Sequence, residues 1–156
     1  MDIDTVITQI RQEMYTYIHA PDYRALPRST AMKLKIHKGL QAVYRLNPNS
    51  ALPSGLFDKP FCCVTKTENE LSIVCAEASL DDEAIQVCES GWKLIEVEGP
   101  LDFGLVGVLR SITTPLAEAG ISVFALSTYD TDYLMIKDAK LQSAIKALTK
   151  AGFSFA

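Results

Sequence analysis

A chain of 156 residues with 48% hydrophobic and 22% charged residues has room for one ordinary domain or two small ones, and its composition excludes extended disorder. Its formal net charge is -4, and its lysines and arginines are scattered, with the densest patch only Lys33, Lys35 and Lys38, which disfavours nucleic acid and anionic membrane as partners. No apolar run approaches the roughly 20 residues that span a bilayer, and the acidic start Met1-Asp-Ile-Asp lacks the cationic region of a signal peptide, so a cytoplasmic location is expected.

Taken in chain order, Ile3, Val6, Ile7, Ile10, Met14, Tyr17 and Ile18 recur at helical spacing. Asp2 or Asp4 can cap this helix and Pro21 stops it. Its apolar stripe either packs on its own domain or reaches a partner or another chain. Pro21, Pro27, Arg28 and Ser29 mark residues 20–31 as a linker, so 1–31 reads as an N-terminal helix with its linker.

The next segment, 32–90, opens at Leu34 and runs through a strand-like Ala42-Val-Tyr-Arg-Leu46 to Pro48. His37, between Lys35 and Lys38, falls in an expected strand with an exposed face. After a Pro- and Gly-punctuated stretch from Pro53 to Pro60, Phe61-Cys-Cys-Val-Thr-Lys66 and Leu71-Ser-Ile-Val-Cys75 form a hairpin that turns near Glu68 and Asn69. Asp81 and Asp82 before Glu83 read as a helix start, and 81–91 as a stunted second helix. Cys62 and Cys63 are strand neighbours and must point to opposite faces, so they cannot share a metal. No CxxC pair occurs, and neither His19 nor His37 lies at ligand spacing from Cys75 or Cys88. The four thiols are expected to be buried, reduced and hydrophobic in role, with no metal site.

The segment 91–156 repeats the pattern in fuller form. Trp92-Lys-Leu-Ile-Glu-Val97 is a strand, and a helix opening near Gly104 places Leu105, Val108, Leu109, Ile112 and Leu116 on one face, with Gly120 at its end. Pro115 sits late in that helix, where it removes a backbone bond. Strands follow at Ile121–Ser127 and Tyr133–Ile136, then a helix over Lys140–Lys150 on Leu141, Ile145 and Leu148, and a last strand at Phe153–Phe155. Laying Val64–Val74 over Leu126–Ile136 matches Thr65 with Ser127, Glu70 with Asp132 and Val74 with Ile136, which points to an internal duplication.

Strand, helix, strand, strand, helix, strand is the ferredoxin-like order, with helices on one face of an antiparallel sheet. A lone module of about 60 residues buries only ~60% of its unfolded surface, so pairing of two modules is its natural remedy. The fold class is therefore α+β: two ferredoxin-like βαββαβ modules with antiparallel sheets, the first with shortened helices, plus the N-terminal helix.

Two runs carry a family resemblance. Gly99-Pro-Leu-Asp-Phe-Gly-Leu-Val-Gly-Val-Leu109 and Pro115-Leu-Ala-Glu-Ala-Gly-Ile-Ser-Val-Phe-Ala-Leu-Ser-Thr-Tyr-Asp-Thr-Asp-Tyr-Leu-Met-Ile136 resemble the ACT domain, in the subfamily found in tandem in small bacterial and fungal proteins and in the cytosolic arginine sensors of animals. The likeness covers residues 92–155, and 34–75 more weakly through Leu-Ser-Ile-Val-Cys75. It implies a regulatory protein that binds an amino acid at a module interface, beside the loop from first strand to first helix. Carried over residue by residue, the loop contributes Asp102, Phe103, Gly104, Leu105 and Val106, and the strand–turn contributes Ser127, Thr128, Tyr129 and Asp132. The first-module loop, Asn47-Pro-Asn-Ser50 through Gly55, lacks the Asp-Phe-Gly pattern and is not expected to form a second site.

Elementary chemistry agrees with that placement. A helix opening near Gly104 presents unpaired amides and partial positive charge to an α-carboxylate, and glycine admits close backbone approach. Asp102 and Asp132 suit an amine or a cationic side chain. Each also has a plainer reading, Asp102 as the helix N-cap and Asp132 as a solvated turn residue. No GxSxG, P-loop or GxGxxG fingerprint occurs, so no catalytic residue and no cofactor is expected. Three roles fit: an amino-acid sensor coupled to homodimer or partner association, an interaction or oligomerisation module without ligand, and a regulatory subunit of an amino-acid biosynthetic enzyme such as aspartate kinase.

Overall fold

Two long extended segments, one broken and one continuous, carry the architecture of the computed structural model, which describes residues 32–80 and 83–156. The helix expected over 3–18, the linker over 20–31, and Asp81 and Asp82 lie outside the described residues. The chain divides into Met1–Ala31 and Met32–Ala156, and only the second unit is described below. Its strands are β1 (Lys33–Ile36), β2 (Gln41–Leu46), β3 (Cys62–Lys66), β4 (Leu71–Ala76), β5 (Ile85–Val97), β6 (Phe124–Ser127), β7 (Asp132–Lys137) and β8 (Ser154–Phe155). Its helices are α1 (Val108–Glu118) and α2 (Leu141–Lys150), with 3-10 turns at Leu56–Asp58 and Asp138–Lys140.

β1 and β2 lie end to end along one edge of β5. Leu34 pairs with Val97, Ile36 with Ile95 and Gln41 with Trp92, and the His37 amide bridges the gap to the Leu94 carbonyl at 2.9 Å. β7 takes the opposite edge of β5 from Trp92 to Glu96. β5 therefore serves both halves, and the sheet is continuous from β3 to β8. Register shifts in the β2–β5 ladder mark bulges in β5, one of them at Gly91, whose φ of 78° is the left-handed conformation that glycine adopts without penalty.

In the second half, β5, α1, β6, β7, α2 and β8 follow the ferredoxin-like order, with one departure: β1 is inserted between β5 and β8. α1 and α2 cover one face of this half. Val108, Ile112 and Leu116 from α1 and Ala144 and Leu148 from α2 pack with Ile95, Val97, Leu134 and Ile136. Full burial of each large apolar side chain contributes ~1.5–3 kcal/mol, so this cluster fixes where both ends of α1 lie.

The first half has the order β3, β4, β2, β5, the same four-strand arrangement without its α-helices among the described residues. The Leu56–Asp58 turn stands where the first helix would be, and Leu56 plugs a cluster of Tyr44, Leu46, Leu71 and Ile73. The helix expected over 81–91 is absent from Glu83 onward: Glu83 and Ala84 form a turn and β5 begins at Ile85. Its β-branched Ile85 and Val87 favour the sheet, and the ladder to β2 satisfies its backbone. One strand thus crosses the boundary expected between 90 and 91.

Three smaller expectations are corrected. β6 starts at Phe124 rather than Ile121, because Ile121 belongs to the chain reversal after α1, where its amide bonds Leu116. His37 lies beyond the end of β1 and is half-buried, its Nε2 2.7 Å from Glu96 Oε2. The duplication holds with a one-residue slip: Lys66 pairs with Leu71 across a four-residue turn and Ser127 pairs with Asp132 across another, so Lys66, not Thr65, corresponds to Ser127. Val74 then corresponds to Met135, and these two share one core cluster with Trp92 and Leu94. Such a slip exchanges the faces of a strand, which is why burial decides the match.

Cys62 and Cys63 do face opposite clusters, and all four cysteines are free thiols. Against the expectation of four buried thiols, only Cys75 is buried; Cys62 and Cys63 are partly buried, and Cys88 is exposed because it lies in the stretch of β5 that only β2 flanks. Among the described residues no helix is long and apolar enough to cross a membrane, and no three His, Cys, Asp or Glu side chains group so as to hold a metal ion.

Candidate functional site

The loop leaving β5 is shaped by Asp102. Its Oδ1 accepts the Gly104 amide at 2.7 Å and its carbonyl accepts the Leu105 amide at 3.0 Å, closing a tight Asx-type turn. A Cβ on Gly104 would stand 3.0 Å from that same Oδ1, so the glycine lets the carboxylate close over its amide, and it serves the turn and not a helix start. α1 opens at Val108, four residues later than expected, with Gly107 as its N-cap at φ 82°. Glycine offers no side-chain oxygen, so the first-turn amides of Val108 and Leu109 have no side-chain cap. Leu105 consequently stands exposed in the loop, beside Val106, rather than on the buried helix face.

The opposing hairpin is held by hydroxyls. Thr128 donates both its amide, at 2.8 Å, and its hydroxyl, at 3.0 Å, to the Thr131 carbonyl, and accepts the Thr131 amide at 3.3 Å. Ser127 Oγ donates to Asp132 Oδ1 at 2.6 Å, which fixes that carboxylate at the hairpin mouth. The first-half turn uses the same device, Thr67 bonding the Glu70 carbonyl and amide.

Loop and hairpin face each other. The Leu101 amide donates to the Asp130 carbonyl at 2.7 Å, and the Thr131 hydroxyl donates to the Val97 carbonyl. The Phe103 and Tyr129 rings meet at 5.1 Å across the opening. Between them lies a cleft of about 340 Å³, within the size range of small-molecule sites, roughly 300–1,000 Å³. Of the residues expected here, Asp102, Phe103, Leu105, Ser127, Thr128, Tyr129 and Asp132 line the cleft. Gly104 and Val106 do not; the first is consumed by the turn and the second points to solvent.

Seven lining residues are not among those expected: Leu101, Gly107, Val108, Leu109 and Arg110, which follow from the later start of α1 and the turn before it, and Asp130 and Thr131 inside the hairpin. Gly107 was the available signal, as a second glycine placed where a helix could be entered. The cleft is lined by an uncapped helix end, three aspartates (Asp102, Asp130, Asp132), Arg110 and apolar side chains. Such a set can hold a small zwitterion, with its carboxylate at the helix end and its amine at the aspartates.

Residues 87–150 match the family model described as ACT domain, and residues 39–83 match a model for an N-terminal domain. Over 99 residues, 58% of this chain, the sequence is 29% identical to the cytosolic arginine sensor for mTORC1 subunit 1 of Bos taurus, and the match spans only 30% of that protein's length. The crystal structure of protein Atu0741 from Agrobacterium tumefaciens is 31% identical, with a TM-score of 0.74, over 82% of this chain and 94% of that one. Aspartate kinase of Clostridium acetobutylicum shares the fold at 12% identity and a TM-score of 0.61, over 85% of this chain and 37% of the kinase.

Proposed function

The chain belongs to the ACT-domain family, and from that premise we propose that it is a regulatory protein that holds a free amino acid in the cleft between the 101–110 and 127–132 segments. The observation that carries the reading is the meeting of an uncapped α1 end with three aspartates in one small cleft. The α-carboxylate lies against the amides of Val108 and Leu109, where the helix dipole favours negative charge. The α-amine, or a cationic side chain, lies against Asp102 and Asp132, with Ser127 holding the latter in place. An excess of carboxylates over the single Arg110 favours a basic ligand, in keeping with the arginine named for the bovine relative.

Residues 32–90 and 91–156 act as two modules, and occupancy of the cleft alters how the exposed rim of Phe103, Leu105, Val106 and Tyr129 associates with a second copy or another protein. The chain works in the cytoplasm as a sensor and not as an enzyme, a reading supported by the name of the bovine relative.

A thermal-unfolding screen with each of the twenty proteinogenic amino acids tests the proposal. A ligand at 100 times its dissociation constant adds ~2.7 kcal/mol, a rise of several degrees for a chain of this size. No rise with any of the twenty would favour the interaction-only role. Co-purification with a biosynthetic enzyme would instead favour a regulatory subunit.

A further inference from the structure

The cleft has two walls on different elements, and its width is set where they touch. Three contacts join them below the opening. Thr131, only 7% exposed, donates its hydroxyl to the Val97 carbonyl at the end of β5. The Leu101 amide donates to the Asp130 carbonyl. Gly99 fits directly beneath the hairpin: a Cβ there would stand 2.8 Å from the Asp130 carbonyl oxygen and 3.1 Å from Thr131 Cβ. Gly99 is not among the positive-φ glycines, so its lack of a side chain answers a need for space and not for a left-handed backbone.

We infer that Thr131 and Gly99 are positioning residues of the amino-acid cleft, fastening the 128–131 turn to the end of β5 so that Asp132 and the α1 amides stand at a fixed separation. This rests on the amino-acid-binding reading above. Neither residue need touch the ligand through its own polar atoms, since the Thr131 hydroxyl is already committed to Val97. The threonine methyl fills the buried side of the turn, and the hydroxyl supplies a bond that a valine of the same shape cannot make. A displaced turn would carry Asp130 and Asp132 with it, and binding sites tolerate little misplacement.

The test uses the full chain with an equimolar mixture of the twenty proteinogenic L-amino acids as probe. The apparent dissociation constant is read from thermal unfolding against probe concentration, and hydrogen exchange is followed at the Leu101 amide without probe. Thr131→Val and Gly99→Ala are expected to weaken binding roughly tenfold or more and to speed Leu101 exchange, whereas Thr131→Ser keeps the donor and stays near wild type. A merely structural threonine would lower the unfolding temperature of Thr131→Val without changing the apparent dissociation constant. If Thr131→Val does not fold, Gly99→Ala decides. The inference is overturned if wild type binds and the folded variants bind equally well, or if Leu101 exchange is unchanged. Failure of wild type itself to bind overturns the proposed function, an outcome read before any variant is made.

Discussion

Phe103 and Tyr129 meet edge to face, with ring centroids 5.1 Å apart and planes at 73°, although the two residues are 76% and 80% exposed. Each ring stands on a different wall of the cleft, so the pair bridges its mouth while burying little of its own area. An aromatic pair of this kind contributes ~0.5–1.5 kcal/mol beyond its buried area. Phe103→Ala and Tyr129→Ala should each lower the unfolding free energy by no more than about 1.5 kcal/mol in urea titrations. Both should reduce self-association or partner capture measured by sedimentation, because the rim loses its largest apolar surfaces. A large stability loss from either would mean that the rings support the core instead.

Asp132 is the carboxylate the hairpin fixes most firmly, through Ser127 Oγ at 2.6 Å. A charge-assisted contact to an amine is worth ~1.5–3 kcal/mol, so Asp132→Ala should weaken amino-acid binding by roughly ten- to a hundredfold in calorimetric titration. Ser127→Ala should cost less, since it frees the carboxylate without removing it. Equal affinity in Asp132→Ala would take the amine away from this side of the cleft.

Ile112 lies fully buried between α1 and the sheet. Truncation to alanine removes methylenes from a packed site and leaves a cavity, at ~2–5 kcal/mol. Denaturant unfolding of Ile112→Ala should show that loss with little change in cooperativity. A cost under about 1 kcal/mol would contradict the packing of α1 described above.

The thiols should react in a definite order. Burial pushes the thiol pKa of both Cys75 and Cys88 up, so access decides the order: Cys88 is exposed, while Cys75 is buried beside Ser79. With a maleimide, Cys88 should be modified first and Cys75 only on unfolding, as followed by intact mass. Early labelling of Cys75 would show that the first half opens more readily than its core cluster allows.

Much of this arrangement is legible in the sequence. The helical spacing of Val108, Ile112 and Leu116 and of Leu141, Ile145 and Leu148, and the turns at 67–70 and 128–131, follow from local pattern and turn chemistry alone. What escaped depended on long-range competition. Ile85 to Gly91 reads as a weak helix only while the free edge of β2 is unknown; the ladder to β2 overrides it. The insertion of β1 between β5 and β8 joins segments from the two ends of the described chain, which no periodicity encodes. The α1 start moved to Val108 because Asp102 bonds Gly104 and spends that stretch on a turn, a choice between two local bonds that composition does not settle. Thr131 and Gly99 gain their roles only from each other's proximity.

The most direct measurement of the central claim is an amide-resolved NMR titration of the full chain with the amino acid that most raises its unfolding temperature. Shifts concentrated on Val108, Leu109 and Thr128–Asp132, saturating together with one dissociation constant, are the predicted result. Saturating shifts centred elsewhere on the chain, with these amides unmoved, would contradict it.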